Sequence, residues 1–144
     1  MMIRVTECHV DQAATALTLI PELGEETAAS LAARIADKPA LLLIAYCHDE
    51  IAGVKLGYAE NSTTFYSWLG GVAPDHRGKG VAQLLLEVQE KWVVEQGYQA
   101  LTVKSQNRYP AMLRLLLRNG YVITHCEVKE RVEFNRIYFS KSII

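Results

Sequence analysis

The sequence predicts an α/β fold, in which a mixed and mostly antiparallel sheet contains a parallel βαβ core and carries helices on both faces. Three observations lead to this class. Helical spacing of apolar residues near the N-terminus changes to short apolar runs after Pro39. A long amphipathic pattern then lies between two further apolar runs, which is the sequence order of a βαβ unit. Proline and glycine residues mark most of the boundaries.

The first forty residues predict one short strand and two helices. Residues 3–5 are typical of a strand, and a helix follows to about residue 20, with Asp11 as its N-cap and Pro21 at its end. A second helix is predicted over residues 25–36, because its apolar residues recur at helical spacing before Pro39.

Three strands follow in a row and form a predicted meander, over residues 40–47, 51–58 and 64–72. Residues 81–96 are the clearest helix, with Gly97 where a left-handed C-cap is expected. Its predicted buried stripe consists of Leu84, Leu85, Val88 and Trp92, and its predicted solvent face includes Glu90. The remaining predicted elements are a strand at 100–104, a helix at 110–119 and strands at 121–128 and 137–140.

Composition limits the function classes. Half of the 144 residues are hydrophobic and 22% are charged, which is enough apolar surface for a packed core. A net charge of −1 argues against general electrostatic capture of nucleic acid. The three cysteines and four histidines show no spacing typical of disulfide frameworks or metal sites. We therefore expect no metal. We also expect one cytoplasmic domain over residues 1–144 without a membrane segment, because no linker, signal peptide or apolar run of membrane length is evident.

The segment with the clearest chemistry is residues 72–82, which lead from a predicted strand into helix 81–96. Unpaired N–H groups and the positive end of the helix dipole attract anions at such a place. Gly78 and Gly80 let a phosphate approach the backbone, and Arg77 and Lys79 add positive charge. The segment therefore favours a pyrophosphate. The alternative interpretation is a tight turn with a solvated basic rim. We expect His76, in the loop before Gly78, to be an exposed member of that rim.

The segment matches neither of the two best-known phosphate loops. No Gly-Lys-Ser/Thr triplet is present, and the dinucleotide pattern G-x-G-x-x-G ends on Gln83 instead of glycine.

Two motifs give the chain a resemblance to the GNAT superfamily of N-acetyltransferases. The signature Gln/Arg-x-x-Gly-x-Gly/Ala is met by Arg77, Gly80 and Ala82. Residues 115–121, Leu-Leu-Leu-Arg-Asn-Gly-Tyr, are similar to the superfamily's Leu-Tyr-x-x-x-Gly-Phe helix end. The predicted order of elements is also that of the superfamily, so the resemblance covers the whole chain. Residues 65–71 and 107–117 are similar to a bacterial GNAT subgroup without an assigned substrate.

The resemblance implies acetyl-CoA as cosubstrate and assigns residues to it. Asn107 should hydrogen-bond the pantetheine arm, and Val72 should pair its backbone with it. The stretch 70–72 resembles the bulge that separates the two parallel strands, and it should direct a backbone N–H at the thioester oxygen. The pyrophosphate should lie on the backbone amides of Arg77, Gly78, Lys79, Gly80, Val81 and Ala82.

The chain departs from the superfamily at one catalytic position. The tyrosine that often protonates the leaving thiolate aligns with Leu116, which cannot donate a proton. Tyr109 lies close in sequence as an alternative donor. A donor is not strictly needed, because a thiol with a pKa near that of cysteine, ~8.5, leaves tolerably well unaided.

The acceptor amine needs a base, since an alkyl ammonium with a pKa of ~10.4 must lose a proton before it attacks. Glu22 follows the helix break at Pro21, in the region that covers the acceptor site in GNAT folds, and we expect it to act there. The alternative is an ordinary exposed loop acid. Tyr66 and Trp68 alternate along strand 64–72 and could line the acceptor pocket, with core packing as the alternative.

Two function classes follow. The first is an enzyme that moves an acetyl group to a primary amine by direct attack in a ternary complex. The second is an acyl-CoA-binding sensor with little or no catalysis, which the leucine at position 116 favours. Small amines, amino acids, polyamines, antibiotics and protein N-termini all remain open as acceptors. An edge strand at the C-terminus could pair in a homodimer.

Overall fold

Across residues 2–144, which the computed structural model describes, seven strands form one sheet in the order β1-β2-β3-β4-β5-β7-β6. Neighbouring strands are antiparallel except β4 and β5, which run parallel through Thr64–Ser67 and Ala100–Val103. The mixed sheet with a parallel βαβ core is thereby confirmed. The strands are β1 Ile3–Glu7, β2 Ala40–Cys47, β3 Glu50–Ala59, β4 Thr64–Val72, β5 Ala100–Gln106, β6 Val122–Glu127 and β7 Arg136–Ser142.

Helices cover both faces of the sheet, as the sequence predicts. One face packs against α1 (Val10–Leu17) and α2 (Ala28–Ile35), with Leu17, Leu31 and Leu56 in its core. The other face packs against α3 (Val81–Glu95) and α4 (Pro110–Arg118), with Phe65, Leu86 and Phe139 in its core. The two faces are called the α1–α2 face and the α3–α4 face below.

The first helix begins at Val10, and its N-cap lies two residues before the predicted cap, Asp11. His9 is the N-cap, and its N–H donates to the side chain of Gln12 at 2.8 Å, whereas Asp11 lies within the first turn. The helix also ends earlier than residue 20, because the N–H groups of residues 18–20 bond three residues back and tighten the last turn. The second helix begins at Ala28, since Thr27 caps it by accepting from the Ser30 N–H at 3.1 Å.

The buried stripe of α3 differs from the predicted one. Gln89 is fully buried in its centre, and Leu84, Val88 and Trp92 are only half-buried. A polar residue at the centre of the stripe explains why hydrophobic spacing selected the neighbouring residues. Glu90 is not a solvent residue either, because it accepts a hydrogen bond from the Tyr121 hydroxyl at 2.7 Å. The buried residues of α3 are Val81, Leu85, Leu86, Gln89 and Val93.

Gly53 on β3 lets the start of α3 lie close to the sheet. A Cβ at this position would stand 2.8 Å from the carbonyl oxygen of Gly71 and 3.1 Å from the Val81 side chain. Any larger residue would push the helix outward. The N-terminus of α3 is thereby held beside the end of β4, where the candidate site lies.

Candidate functional site

The loop between β4 and α3 is held to the protein by a buried residue, His76, and has open space beside Gly78 and Gly80. Residues Pro74–His76 form a single 3-10 turn, and His76 is buried, with its Nε2 atom 3.3 Å from a carboxylate oxygen of Glu50. The expectation that His76 is exposed is therefore wrong. Gly78 and Gly80 have φ angles of 75° and 85°, and a Cβ at either would meet nothing within 4 Å. These left-handed conformations favour glycine, and they leave open space over the backbone.

A run of free N–H groups lies along this loop and the first turn of α3. Within residues 2–144, none of the backbone N–H groups from residue 78 to residue 83 has an acceptor in the protein. The N–H of Arg77 is not part of the run, because it donates to the Pro74 carbonyl at 3.4 Å. The run therefore begins one residue later than the sequence indicates and extends to Gln83. Successive free N–H groups at a helix N-terminus suit an anion such as a phosphate.

Beside this loop, β4 and β5 separate. The register between β3 and β4 shifts so that Trp68 has no partner, and the parallel pairing with β5 ends at Ser67. The bulge is thus at Trp68 and not at residues 70–72 as the sequence analysis expected. Trp68 and Leu69 are consecutive, yet both side chains pack on the α1–α2 face, which is what an extra residue in a strand produces.

Beyond the bulge, β4 has one free edge. Residues 69–72 pair with β3 only, while β5 continues to Gln106 paired with β7 only. A strand edge without a partner can hydrogen-bond an extended ligand as if it were an added strand. The gap between the two strands starts next to the bulge and leads toward the free N–H groups at the start of α3.

Arg77 joins the loop to the predicted acceptor side. Its guanidinium lies 2.6 Å from a carboxylate oxygen of Glu22, and its Nε donates to the Val72 carbonyl at 3.1 Å. Glu22 lies in the 3-10 turn Pro21–Leu23, between α1 and α2. The structure thus brings Glu22, Val72 and Arg77 together, and the Arg77 side chain bonds the first two residues.

Tyr66 and Trp68 lie on the α1–α2 face within a group of aromatic rings. The Tyr58 ring meets each of them edge-on, with centroids 5.5 Å from Tyr66 and 5.8 Å from Trp68. The guanidinium of Arg34 stands 4.7 Å above the Trp68 ring. Burial raises the pKa of Tyr66 to about 12, so its hydroxyl stays protonated and cannot serve as a base near neutral pH.

Asn107 lies just beyond the end of β5, on the far side of the gap. Its side-chain N–H donates to the Val132 carbonyl at 2.9 Å, which leaves the side-chain oxygen available to a ligand. Leu116 on α4 is fully buried in the core of the α3–α4 face. Tyr109, the alternative proton donor from the sequence, is half-buried, with the Arg108 guanidinium 4.7 Å from the centre of its ring.

Comparison with known protein families decides the chain's membership. The Acetyltransferase (GNAT) family matches residues 10–121, which is most of the chain and includes the loop, the bulge and α4. The chain belongs to the GNAT acetyltransferase family. This membership indicates an acyltransferase.

Solved structures of other proteins share the fold of this GNAT chain. Ard1 from Thermoplasma volcanium is 15% identical with a TM-score of 0.84, and the match covers 100% of this chain and 99% of that one. The ribosomal-protein-S18-alanine N-acetyltransferase from Escherichia coli is 13% identical with a TM-score of 0.83, covering 99% and 94%. A GNAT family acetyltransferase from Elizabethkingia anophelis, solved with acetyl-CoA bound, is 17% identical with a TM-score of 0.77, covering 97% of both chains. A search of curated proteins gives no match.

Two structural findings concern other kinds of site in the GNAT chain. Within residues 2–144, no three side chains of His, Cys, Asp or Glu are grouped in a way that could hold a metal ion. The helices in this part of the chain are too short or too polar to cross a membrane.

Sequence reasoning missed two residues of the GNAT chain that bear on the site. Gln83 breaks the dinucleotide motif in the sequence, yet its N–H is the last of the free run in the structure. Lys55 on β3 is 5% exposed, yet a lysine between Val54 and Leu56 is typical of the solvent face of a strand. The available signal was the prediction of helices on both faces, because a central strand then has no solvent face.

Proposed function

We propose that the chain is an acetyl-CoA-dependent N-acetyltransferase that moves an acetyl group to a primary amine by direct attack in a ternary complex. The observation that carries the proposal is the run of six free N–H groups, from residue 78 to residue 83, beside the free edge of β4. The run suits a pyrophosphate, and the edge suits an amide-containing arm. Coenzyme A has both, joined in that order.

The donor lies across the two features. The N–H groups of residues 78–83 hold the pyrophosphate, and Gly78 and Gly80 let it approach because nothing lies above their Cα atoms. The pantetheine arm runs along residues 69–72, including the backbone of Val72, with Asn107 as a partner across the gap. Lys79 is exposed beside the loop and adds positive charge. Arg77, Val81 and Ala82 are the remaining residues that contact the donor in this proposal.

The acceptor amine approaches from the α1–α2 face, where Glu22, Tyr66 and Trp68 lie. Glu22, or a water molecule that it holds, takes the proton from the ammonium, and the neutral amine then attacks the thioester carbonyl. A backbone N–H near the bulge stabilises the oxyanion that forms. No covalent enzyme intermediate is required. Because one oxygen of Glu22 accepts from Arg77, the base acts through its other oxygen or after the ion pair opens.

The second candidate is an acyl-CoA-binding sensor. The observation that favours it is Leu116, a fully buried leucine where the superfamily often has a catalytic tyrosine. The donor site is equally suited to both candidates, so only turnover separates them.

Two measurements test the proposal in sequence. Calorimetry with acetyl-CoA should give saturable binding at one site per chain. Thiol release from acetyl-CoA should then depend on an added primary amine, screened over diamines, amino acids, aminoglycosides and short peptides, with the acetylated product identified by mass spectrometry. Binding without amine-dependent thiol release across the panel would favour the sensor. No binding at all would refute both candidates.

A further inference from the structure

Lys55 is a buried lysine without a partner. It lies on β3, opposite Gly70 on β4 and Leu43 on β2, and only 5% of it is exposed. Within residues 2–144, its ammonium makes no hydrogen bond or ion pair, and Glu90, the carboxylate that acts on its charge, is paired with Lys141 at 3.1 Å. Buried lysines are rarely unpaired, because transferring the charge out of water is costly. Such a group calls for a functional explanation.

The charged groups packed around Lys55 do not pair with it. Glu90 on α3 attracts its charge from a distance, but the Glu90 carboxylate accepts from the Tyr121 hydroxyl at 2.7 Å and from Lys141 at 3.1 Å. The cross-strand neighbours, Leu43 and Gly70, carry no charge. The ammonium is therefore free to interact with a ligand.

The ammonium lies over Gly70, in the segment of β4 whose opposite edge is free. Its Nζ atom would be 3.4 Å from a Cβ at Gly70, and its Cγ atom 3.7 Å, so the side chain reaches from β3 across to β4. Gly70 is two residues past the bulge at Trp68, in the segment that has separated from β5. The absence of a side chain at Gly70 is what leaves room for Lys55 there. The lysine is on the α3–α4 face, opposite the face that carries Glu22, Tyr66 and Trp68.

We propose that Lys55 is the general acid of the reaction, and that its ammonium protonates the thiolate of coenzyme A as the C–S bond breaks. This inference rests on the proposed function. It places the proton donor and the proton acceptor on opposite faces of the sheet, with the thioester between them in the gap. It also explains how the enzyme manages with a leucine at position 116, because that leucine and Lys55 are on the same face.

The acid–base properties of Lys55 suit this role. Burial lowers its pKa from the ordinary 10.5 to about 8, and the Glu90 carboxylate opposes part of that fall. A group with this pKa is still mostly protonated near neutral pH, and it lies close to a thiol pKa of ~8.5. Proton transfer from Lys55 to the leaving thiolate is thus nearly balanced, which is the favourable condition for general acid catalysis.

The base on the α1–α2 face takes the ammonium proton and releases it to solvent. The neutral amine nitrogen then forms a bond to the carbonyl carbon and gives a second proton to the same base, which returns that proton to solvent after the reaction. The tetrahedral intermediate collapses, the C–S bond breaks, and sulfur takes the electron pair. Lys55 gives one proton to sulfur and becomes a neutral amine. The products are the acetamide and the free thiol, and Lys55 regains a proton from solvent.

The test compares coenzyme A with desulfo-coenzyme A, which lacks the sulfur atom, by calorimetry at a pH near the thiol pKa. The wild-type protein should bind coenzyme A more tightly than desulfo-coenzyme A by about tenfold, because an ammonium stabilises the bound thiolate. Lys55→Met should lose this preference and bind both compounds as weakly as the wild type binds desulfo-coenzyme A. Thiolate absorbance of bound coenzyme A, measured on the wild type, should exceed that of the free compound at the same pH.

The matched control is Lys91→Met, which removes the charge of an exposed lysine on α3 and should keep the wild-type preference. Binding of desulfo-coenzyme A by Lys55→Met shows that this variant is folded. An equal preference for coenzyme A in wild type and Lys55→Met, with no excess thiolate absorbance, would overturn the role of Lys55 and leave the proposed function intact. If the wild type binds neither compound, the proposed function itself fails.

Discussion

Glu22 and Arg77 meet across the candidate site although they are far apart in sequence. The carboxylate lies on the proposed acceptor side and the guanidinium belongs to the proposed donor loop, with 2.6 Å between the two charged groups. Both side chains are partly exposed, and ion pairs of this kind contribute little, ~0–1 kcal/mol, to stability. The pair can therefore open during a catalytic cycle, which would release Glu22 toward the amine and Arg77 toward the donor.

The first prediction concerns Glu22. Glu22→Gln should lower kcat by about 100-fold or more, the usual size of the loss when a general base is removed. The affinity for acetyl-CoA should barely change, because Glu22 lies on the acceptor side and Arg77 keeps its hydrogen bond to Val72. Steady-state kinetics with a slow amine, together with calorimetry, would measure both quantities.

Glu25→Gln is the matched control for this variant. Glu25 is an exposed carboxylate in the same loop, so it tests the effect of losing one negative charge near the site. If Glu22→Gln retains the kcat of the control variant, Glu22 is a loop acid and a bound water molecule is the better candidate for the base.

At the scale of elements, the proposed function assigns most of the donor binding to the start of α3. Both ends of this helix carry a left-handed glycine, Gly80 with φ 85° and Gly97 with φ 88°, and a Cβ at either meets open space. Only Gly80 lies within the run of free N–H groups. The two glycines therefore separate the effect of backbone strain from the effect of blocking the donor.

The second prediction uses this pair. Gly80→Val and Gly97→Val should each destabilise the protein by a similar amount, about 1–2 kcal/mol, because both force a branched residue into the left-handed region. Gly80→Val should in addition lose most acetyl-CoA binding, since its side chain fills the space above the loop. Urea unfolding and calorimetry on the two variants provide the comparison. Equal acetyl-CoA affinity in both variants would show that the pyrophosphate does not bind at this loop.

Element identity was predictable from the sequence where hydrophobic spacing and boundary residues agree. The strands Ala40–Cys47 and Thr64–Val72 have the predicted bounds. The first is a continuous apolar run before a polar turn, and the second begins directly after the polar turn at residues 60–63. The position of the bulge was not predictable. It depends on how the Trp68 and Leu69 side chains pack against α1 and α2, and no local pattern encodes that contact. Similarly, the run of free N–H groups begins at residue 78 and not at Arg77, because the Arg77 N–H donates to the Pro74 carbonyl of the 3-10 turn.

At the scale of the whole molecule, a sheet covered on both faces explains the buried lysine. β3 and β4 are central strands with helices on each side, so only 5% of Lys55 is exposed at its position. The sequence motifs pointed to the loop of the proposed donor site because its residues are contiguous. They could not identify Lys55, since its relation to Gly70 arises only when β3 and β4 pair.

The third prediction follows from this burial. The pKa of Lys55 is about 8 in the folded protein against an ordinary value of 10.5, so between these two pH values the unfolded chain binds more protons than the folded one. The free energy of unfolding should therefore rise with pH in this range, by up to about 1.4 kcal/mol per pH unit. Lys55→Met should lack this contribution. Urea unfolding of both proteins across the range would measure the difference, and parallel curves would mean that Lys55 is not buried as a free amine.

The central claim is that the N–H groups at the start of α3 and the free edge of β4 form one donor site. Backbone amide NMR during a titration with acetyl-CoA tests it most directly. The largest shifts should occur together at residues 78–83 and 69–72, with saturation at one equivalent, while β6 at the far edge of the sheet stays unchanged. Shifts at saturation that leave both segments unperturbed would contradict the account.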